Sequence, residues 1–207
     1  ICGHVTEEDI PIEVMWCPKC RTPIVRAVND QAKHDCPLCY GKVSHMSTDL
    51  RPVFPEERLL IELLLDKKPN EYVEKSVWAS NSRYYIDGKS LNLSSSVFQT
   101  ADIDSLAKKL EQHSPQNSYK YFNTHIGHFI EANKDRLHYL KDEAFSFVRR
   151  TAEKFDEEKI VISFSGGKDS TATADVVVKA LSNPNLVHIF GDTTLEFPAT
   201  LEYARRF

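Results

Sequence analysis

Residues 160–181 read IVISFSGGKDSTATADVVVKAL: an apolar run, a tight polar loop and then a helical pattern. A loop this rich in glycine, serine and charge, set between a strand and a helix, is built to hold something. Gly166 and Gly167 let the backbone turn sharply and approach an anion, while Ser165, Ser170 and Thr171 offer hydroxyl donors. The helix that follows presents free N–H groups and the positive end of its dipole to the same place. Lys168 adds a mobile positive charge, and Asp169 is suited either to orient the loop or to bind Mg2+. The spacing is not that of G-x-x-x-x-G-K-[ST], because the four-residue spacer is missing, but the physical logic is shared. A polyphosphate fits best.

Working outward, the pattern from Lys159 alternates: KIVISF, SGGKDS, a helix through Leu181, the turn SNPN, the strand LVHIF, then GDTTLEF and a helix starting at Pro198. Such alternation predicts parallel strands with right-handed crossovers, hence an α/β fold class. Upstream, apolar positions from Ile126 to Phe155 recur at helical spacing, predicting one long helix or two in line. Asp102 to His113 carries the stripe Ile103, Leu106, Ala107 and Leu110 of a short amphipathic helix. RYYI and KSLNL flank Asp87-Gly88, the dipeptide of a type I′ hairpin turn, with Trp78, Tyr84 and Tyr85 expected as a small core. A further helix opens at Pro55 and exits at Lys67, Lys68 and Pro69, with leucine and isoleucine nearly all round it, as expected of a helix buried between modules.

The five cysteines, at 2, 17, 20, 36 and 39, all lie near the start of the chain. Cys17, Cys20, Cys36 and Cys39 form C-x2-C-x15-C-x2-C, in which each C-x2-C knuckle aims two thiolates at one point and the intervening loop lets the two knuckles complete a tetrahedron. Zinc is the first expectation, and iron shares the ligand set. Pro18 and Pro37 follow the first cysteine of each pair, as in many zinc ribbons. Four thiolates close the coordination sphere, so the centre is expected to be structural. Lys19, Arg21, Arg26, Lys33 and Lys42 are candidate phosphate contacts on it, or simply solvated cations, and Cys2 and His4 are left over. Three modules result: a zinc ribbon over 1–48, a helix and β-hairpin connector over 49–118, and a long helix plus the start of an α/β domain over 119–207.

SFSGGKDS after a strand resembles the pyrophosphate-binding loop of the PP-loop ATP pyrophosphatases, and FGDTTLEFPATLEY after the second strand resembles the phosphoadenylylsulfate (PAPS) reductase branch of that superfamily. That branch typically reads D-T-G-x-E-F-P-E-T here, so Thr194 stands where glycine is usual. The resemblance implies a doubly wound parallel sheet, of which these are the first β-α-β-α units, and that Ser165, Gly166, Gly167, Lys168, Asp169 and Ser170 cradle the phosphates of ATP, with Lys168 and Asp169 as the catalytic residues. Asp192, Thr193 and Glu196 follow the next strand at its carboxyl end, where open α/β sheets place ligands, and are candidates for nucleotide or Mg2+ contact. A complete domain of this kind needs roughly 150–200 residues. Because the sequence starts at Ile1 rather than Met and stops at Phe207 in a young helix, it is expected to be a fragment whose pocket is incomplete.

Three functions are therefore open. An ATP-consuming enzyme would adenylate a substrate, release pyrophosphate and serve sulfur transfer; the intact SGGKDS supports it. A sulfonucleotide reductase would hold its substrate in the same pocket, but its cysteine nucleophile has no counterpart after Cys39 in this sequence. A zinc-ribbon module that binds nucleic acid or protein, with nucleotide binding alone, is the third. The resemblance brings in tRNA, DNA or a sulfur carrier as partners, and a homodimer as an expected assembly. With 26 basic against 30 acidic residues and a net charge of −4, no global field attracts polyanions or an anionic membrane. No run is long and apolar enough to span a bilayer, so a cytoplasmic protein is expected.

Overall fold

The computed structural model describes residues 12–28, 35–81, 83–113 and 118–207. Cys2, His4 and Lys33 lie outside the described residues. The chain divides into two compact units, one up to Lys134 and one from Asp135 to Phe207.

In the first unit, β1 (Ile12–Cys17) pairs antiparallel with β2 (Thr22–Ala27) on one side and β3 (Ser44–Ser47) on the other. The first cysteine knuckle is the turn between β1 and β2. A second antiparallel sheet runs β4 (Arg51–Pro52), β5 (Val77–Ser80), β6 (Arg83–Ile86) and β7 (Lys89–Asn92) in that order. The hairpin expected at Asp87-Gly88 joins β6 to β7, with φ of 48° and 77°, the two left-handed residues that a type I′ turn demands. Trp78 and Tyr85 are buried as expected, in a cluster with Trp16 and Met46.

Between the sheets' strands comes α1 (Pro55–Leu64), with Pro55 in its first turn and Glu56 and Glu57 facing the positive dipole end. It buries Leu59, Ile61 and Leu63, and also Arg58 and Glu62, two charges that the sequence pattern would leave in water. They pair with each other, and the Glu62 carboxylate also accepts the backbone N–H groups of Asn70 and Tyr72, both at 2.7 Å. The short α2 (Ser95–Gln99) leads to α3 (Ile103–Gln112), capped by the Asp102 carboxylate on the Ser105 N–H at 3.1 Å. Leu106 and Leu110 are half-buried, whereas Ile103 is 78% exposed, so only part of the expected stripe is covered.

The upstream helix is two helices, α4 (Ser118–Ala132) and α5 (Lys134–Ala152). Asn133 separates them and ties α4 to β2: its Oδ1 accepts from Val25 N at 2.7 Å, and its Nδ2 donates to Pro23 O at 3.1 Å and to Phe129 O at 2.7 Å. The side chain thus serves the free edge of β2 as a peptide group would. The sequence division grouped residues from 119 onward with the α/β module, but α4 packs on β2 and α1, and the compact units part after Lys134 instead.

The second unit follows the expected alternation. After α5 come β8 (Val161–Phe164), α6 (Lys168–Leu181), β9 (Val187–Phe190) and α7 (Pro198–Arg206). β8 and β9 are parallel and in register from Val161–Val187 to Phe164–Phe190. Ile162, Ala174 and Leu186 form the core between sheet and α6. Ser182, at φ 53°, ends α6 in a left-handed cap. None of the helices among the described residues is long and apolar enough to cross a membrane.

Candidate functional site

Cys17, Cys20, Cys36 and Cys39 converge, their sulfurs all within 4.8 Å of one another. Cys17 Sγ lies 3.6 Å from Cys39 Sγ, and Cys20 Sγ lies 3.8 Å from Cys36 Sγ. A tetrahedron with metal–sulfur bonds of about 2.3 Å has edges of about 3.8 Å, which these two separations match. Both knuckles use the same backbone device: the residue after each second cysteine, Arg21 or Tyr40, is left-handed with φ of 52° and 54°. The Cys20 N–H points at Cys17 Sγ at 3.3 Å, as a donor to a thiolate does.

Burial pushes the Cys17 and Cys20 thiols up from their ordinary value, Cys17 against a hydrogen bond from the Cys20 backbone. Cys39 is held down to about 7, chiefly by the Gly41 backbone. Four sulfurs this close resist joint ionisation on their own and become a stable set of thiolates only around a cation. The donor set thus fits a metal such as zinc, with no position left open for a substrate.

Of SGGKDS, Ser165, Gly166 and Gly167 link β8 to α6, and Lys168, Asp169 and Ser170 form the first turn of α6, one turn earlier than a six-residue loop would have it. Gly166 has φ 73°, a conformation that favours glycine, and a Cβ there would stand 3.0 Å from Thr200 Cγ2, so a side chain would also crowd α7. Ser170 Oγ donates to Gly167 O at 3.0 Å and accepts from Ser165 N at 3.2 Å and from Ser165 Oγ at 3.1 Å, closing the loop on itself. Lys168 Nζ and Asp169 Oδ1 pair at 2.9 Å, with both side chains about nine-tenths exposed. The ammonium is therefore in solvent, at the N-terminus of α6. An open cleft of about 830 Å³, bordered by Gly166, Lys168, Thr171, His188 and Tyr203, lies beside the loop.

Parallel pairing puts the loop after β9 at the same carboxyl edge as the loop after β8. There Asp192 Oδ1 accepts the Thr194 N–H at 2.8 Å, and Thr193 Oγ1 donates to Glu196 Oε1 at 2.9 Å. Thr194 has φ 63°. The backbone thus keeps the left-handed conformation that glycine would favour, with a β-branched residue bearing the strain. The two motifs are joined through α7, where Thr200 meets Gly166 and Tyr203 lies against Thr171. Sequence reasoning missed these two residues. A tyrosine on a helix five residues past a proline start reads as packing, and nothing local marks its hydroxyl as bonded.

Comparison with known proteins agrees with the second unit. The family model of the phosphoadenosine phosphosulfate reductase domain matches residues 159–207. An uncharacterized protein of Methanocaldococcus jannaschii is 32% identical over 95 residues, which cover 46% of this chain and 19% of that protein. The chain thus matches about a fifth of the length of this relative. No solved structure matches the chain. Residues 159–207 are thus similar to the PAPS reductase-like branch, and a module built round four clustered cysteines precedes them in the chain.

Proposed function

We propose that SGGKDS binds the phosphates of ATP or another adenine nucleotide, and that the protein adenylates a substrate with release of pyrophosphate in a sulfur-transfer reaction. One observation carries this reading. The glycine turn at Gly166 is seated on α7, the helix of the second motif, so both motifs act at one carboxyl edge of the sheet. Backbone N–H groups at the start of α6 and its dipole favour the β- and γ-phosphates. Lys168, exposed and paired only at the surface with Asp169, would swing onto them. Charge developing on the leaving pyrophosphate is stabilised there as a substrate oxygen attacks the α-phosphorus. Mg2+ bound with ATP would neutralise part of the phosphate charge, and Asp169, Asp192 and Glu196 offer the carboxylates to hold it. A sulfur or nitrogen nucleophile then displaces AMP; a nucleic acid or a sulfur carrier would be the partner.

The name of the matching family supports a second reading, a sulfonucleotide reductase using the same pocket without cleaving ATP. Titration with ATP·Mg2+ and with a sulfonucleotide separates the two. Saturable ATP binding, weakened about 10- to 100-fold in Lys168→Ala by loss of one charge-assisted contact, is the expected result. Sulfonucleotide binding with no ATP binding would move the assignment to the reductase. Pyrophosphate release on adding ATP and an acceptor then tests the chemistry.

A further inference from the structure

We infer that Tyr203 is a positioning residue for the phosphate loop, acting through the hydroxyl of Thr171; its bearing on ATP rests on the reading above, while its effect on the loop does not. Thr171 Oγ1 donates to Gly167 O at 2.9 Å. A hydroxyl has one proton, so in the 3.1 Å contact between Thr171 Oγ1 and Tyr203 OH the tyrosine is the donor. The result is a relay from α7 to the loop: Tyr203 O–H to Thr171 O–H to Gly167 C=O.

What the relay fixes follows from peptide planarity. The Gly167–Lys168 peptide is trans, so its C=O and N–H point in opposite directions. Holding the Gly167 carbonyl along α6 makes the Lys168 N–H point out of the helix start, toward a bound phosphate. The same carbonyl also accepts from Ser170 Oγ at 3.0 Å and from Thr171 N at 3.0 Å. Its orientation is thus set by α6 from below and by α7 from the side. Gly166 eases the close approach, since a Cβ there would stand 3.0 Å from Thr200 Cγ2.

The tyrosine ring has a separate duty. It lies 6.1 Å from Phe164 and 6.0 Å from Phe207, and Phe164 and Phe207 stack at 4.3 Å. Tyr203→Phe keeps that aromatic cluster and removes only the donor, which separates positioning from packing.

The test is amide hydrogen exchange at Ser165 and Thr171, whose N–H groups are bonded to Ser170 Oγ and Gly167 O, in the 207-residue chain, with ATP·Mg2+ titration alongside. Tyr203→Phe should leave protection elsewhere in β8 and α6 unchanged and raise exchange at the Ser165 and Thr171 amides about 5- to 10-fold, the effect of losing one hydrogen bond. ATP affinity should fall by a similar factor. Thr171→Val should match it, Thr171→Ser should restore wild-type protection, and the double variant Tyr203→Phe/Thr171→Val should be no worse than either single change. Wild-type loop protection in Tyr203→Phe, or full additivity in the double variant, overturns the relay. Should wild type bind no ATP while Tyr203→Phe still loosens the loop, the relay holds and the nucleotide assignment is what fails.

Discussion

Gly88 shows how one residue can answer to two independent constraints. Its φ of 77° is the second left-handed residue of the hairpin turn, and a Cβ there would lie 2.4 Å from the Trp16 indole. Trp16 is itself 6% exposed, so the ring has nowhere to go. Gly88→Ala combines backbone strain with overpacking and is expected to cost about 2–4 kcal/mol in urea unfolding of the N-terminal unit. A loss under about 1 kcal/mol would mean that the indole gives way. Cys36 is the corresponding test for the thiol centre, because it is fully buried and sits one tetrahedral edge from Cys20. The wild-type chain should carry about one metal per chain, and Cys36→Ser should lose most of it along with the tetrathiolate absorption bands of a cobalt-substituted sample. Unchanged metal content in that variant would remove the four-thiolate centre. Zinc and iron are separated by elemental analysis of the same wild-type preparation.

At the scale of elements, the instructive case is α1. Its apolar residues explain why it is buried, but the turn that follows it is organised by an ion pair inside the protein. Arg58 and Glu62 stand one helical turn apart with side chains 4% and 0% exposed, and Arg58 Nη2 also donates to Asn70 Oδ1 at 2.9 Å. Both carboxylate oxygens of Glu62 are thus engaged, Oε1 by Arg58 and Tyr72 N and Oε2 by Asn70 N. Desolvating two charges is costly, and the geometry offsets it only while both partners are present. Glu62→Ala leaves a buried guanidinium and two orphaned N–H groups, so it should destabilise the unit by about 3–5 kcal/mol, whereas replacing both residues with apolar ones of similar volume should cost much less. Equal losses in the single and double variants, measured by denaturant midpoints, would count against a coupled pair.

For the whole molecule, the sequence patterns that could be read were those with local causes. Strand, glycine turn and helix announce themselves within twenty residues, so β8, SGGKDS and α6 stand where the pattern put them. The paired cysteines likewise carry their own turns. What escaped reading depends on partners far along the chain. Helical periodicity runs straight through Asn133, and only its bonds to Pro23 and Val25, about 110 residues away, mark the break between α4 and α5. Tyr203 and Thr171 are 32 positions apart, and the burial of Arg58 and Glu62 rests on Asn70 and Tyr72 in the turn after α1.

Long-range ties of this kind also set the acid limit of the N-terminal unit. Glu57 on α1 receives Arg51 Nη1 and Nη2 at 2.7 and 2.6 Å, and the Tyr84 hydroxyl at 2.8 Å, so one carboxylate joins β4, α1 and β6. The Arg51 guanidinium, helped by Tyr84 and opposed by burial, holds the Glu57 carboxyl below the usual carboxylate range. A carboxyl whose pKa is lower in the folded chain than in the unfolded one adds stability above the unfolded value of about 4.3, and that stability drains away as pH falls through the lowered folded value. Glu57→Gln should therefore melt below wild type at pH 7, with the gap closing once the solution is more acid than the ordinary glutamate range. Competition between protons and metal for the thiolates is a separate loss that a chelator brings on in advance. Melts of wild type and Glu57→Gln from pH 7 to pH 3, run with chelator throughout, isolate the carboxylate contribution. A gap that stays constant across that range would show that Glu57 acts by shape and neutral hydrogen bonding, with no share for its charge.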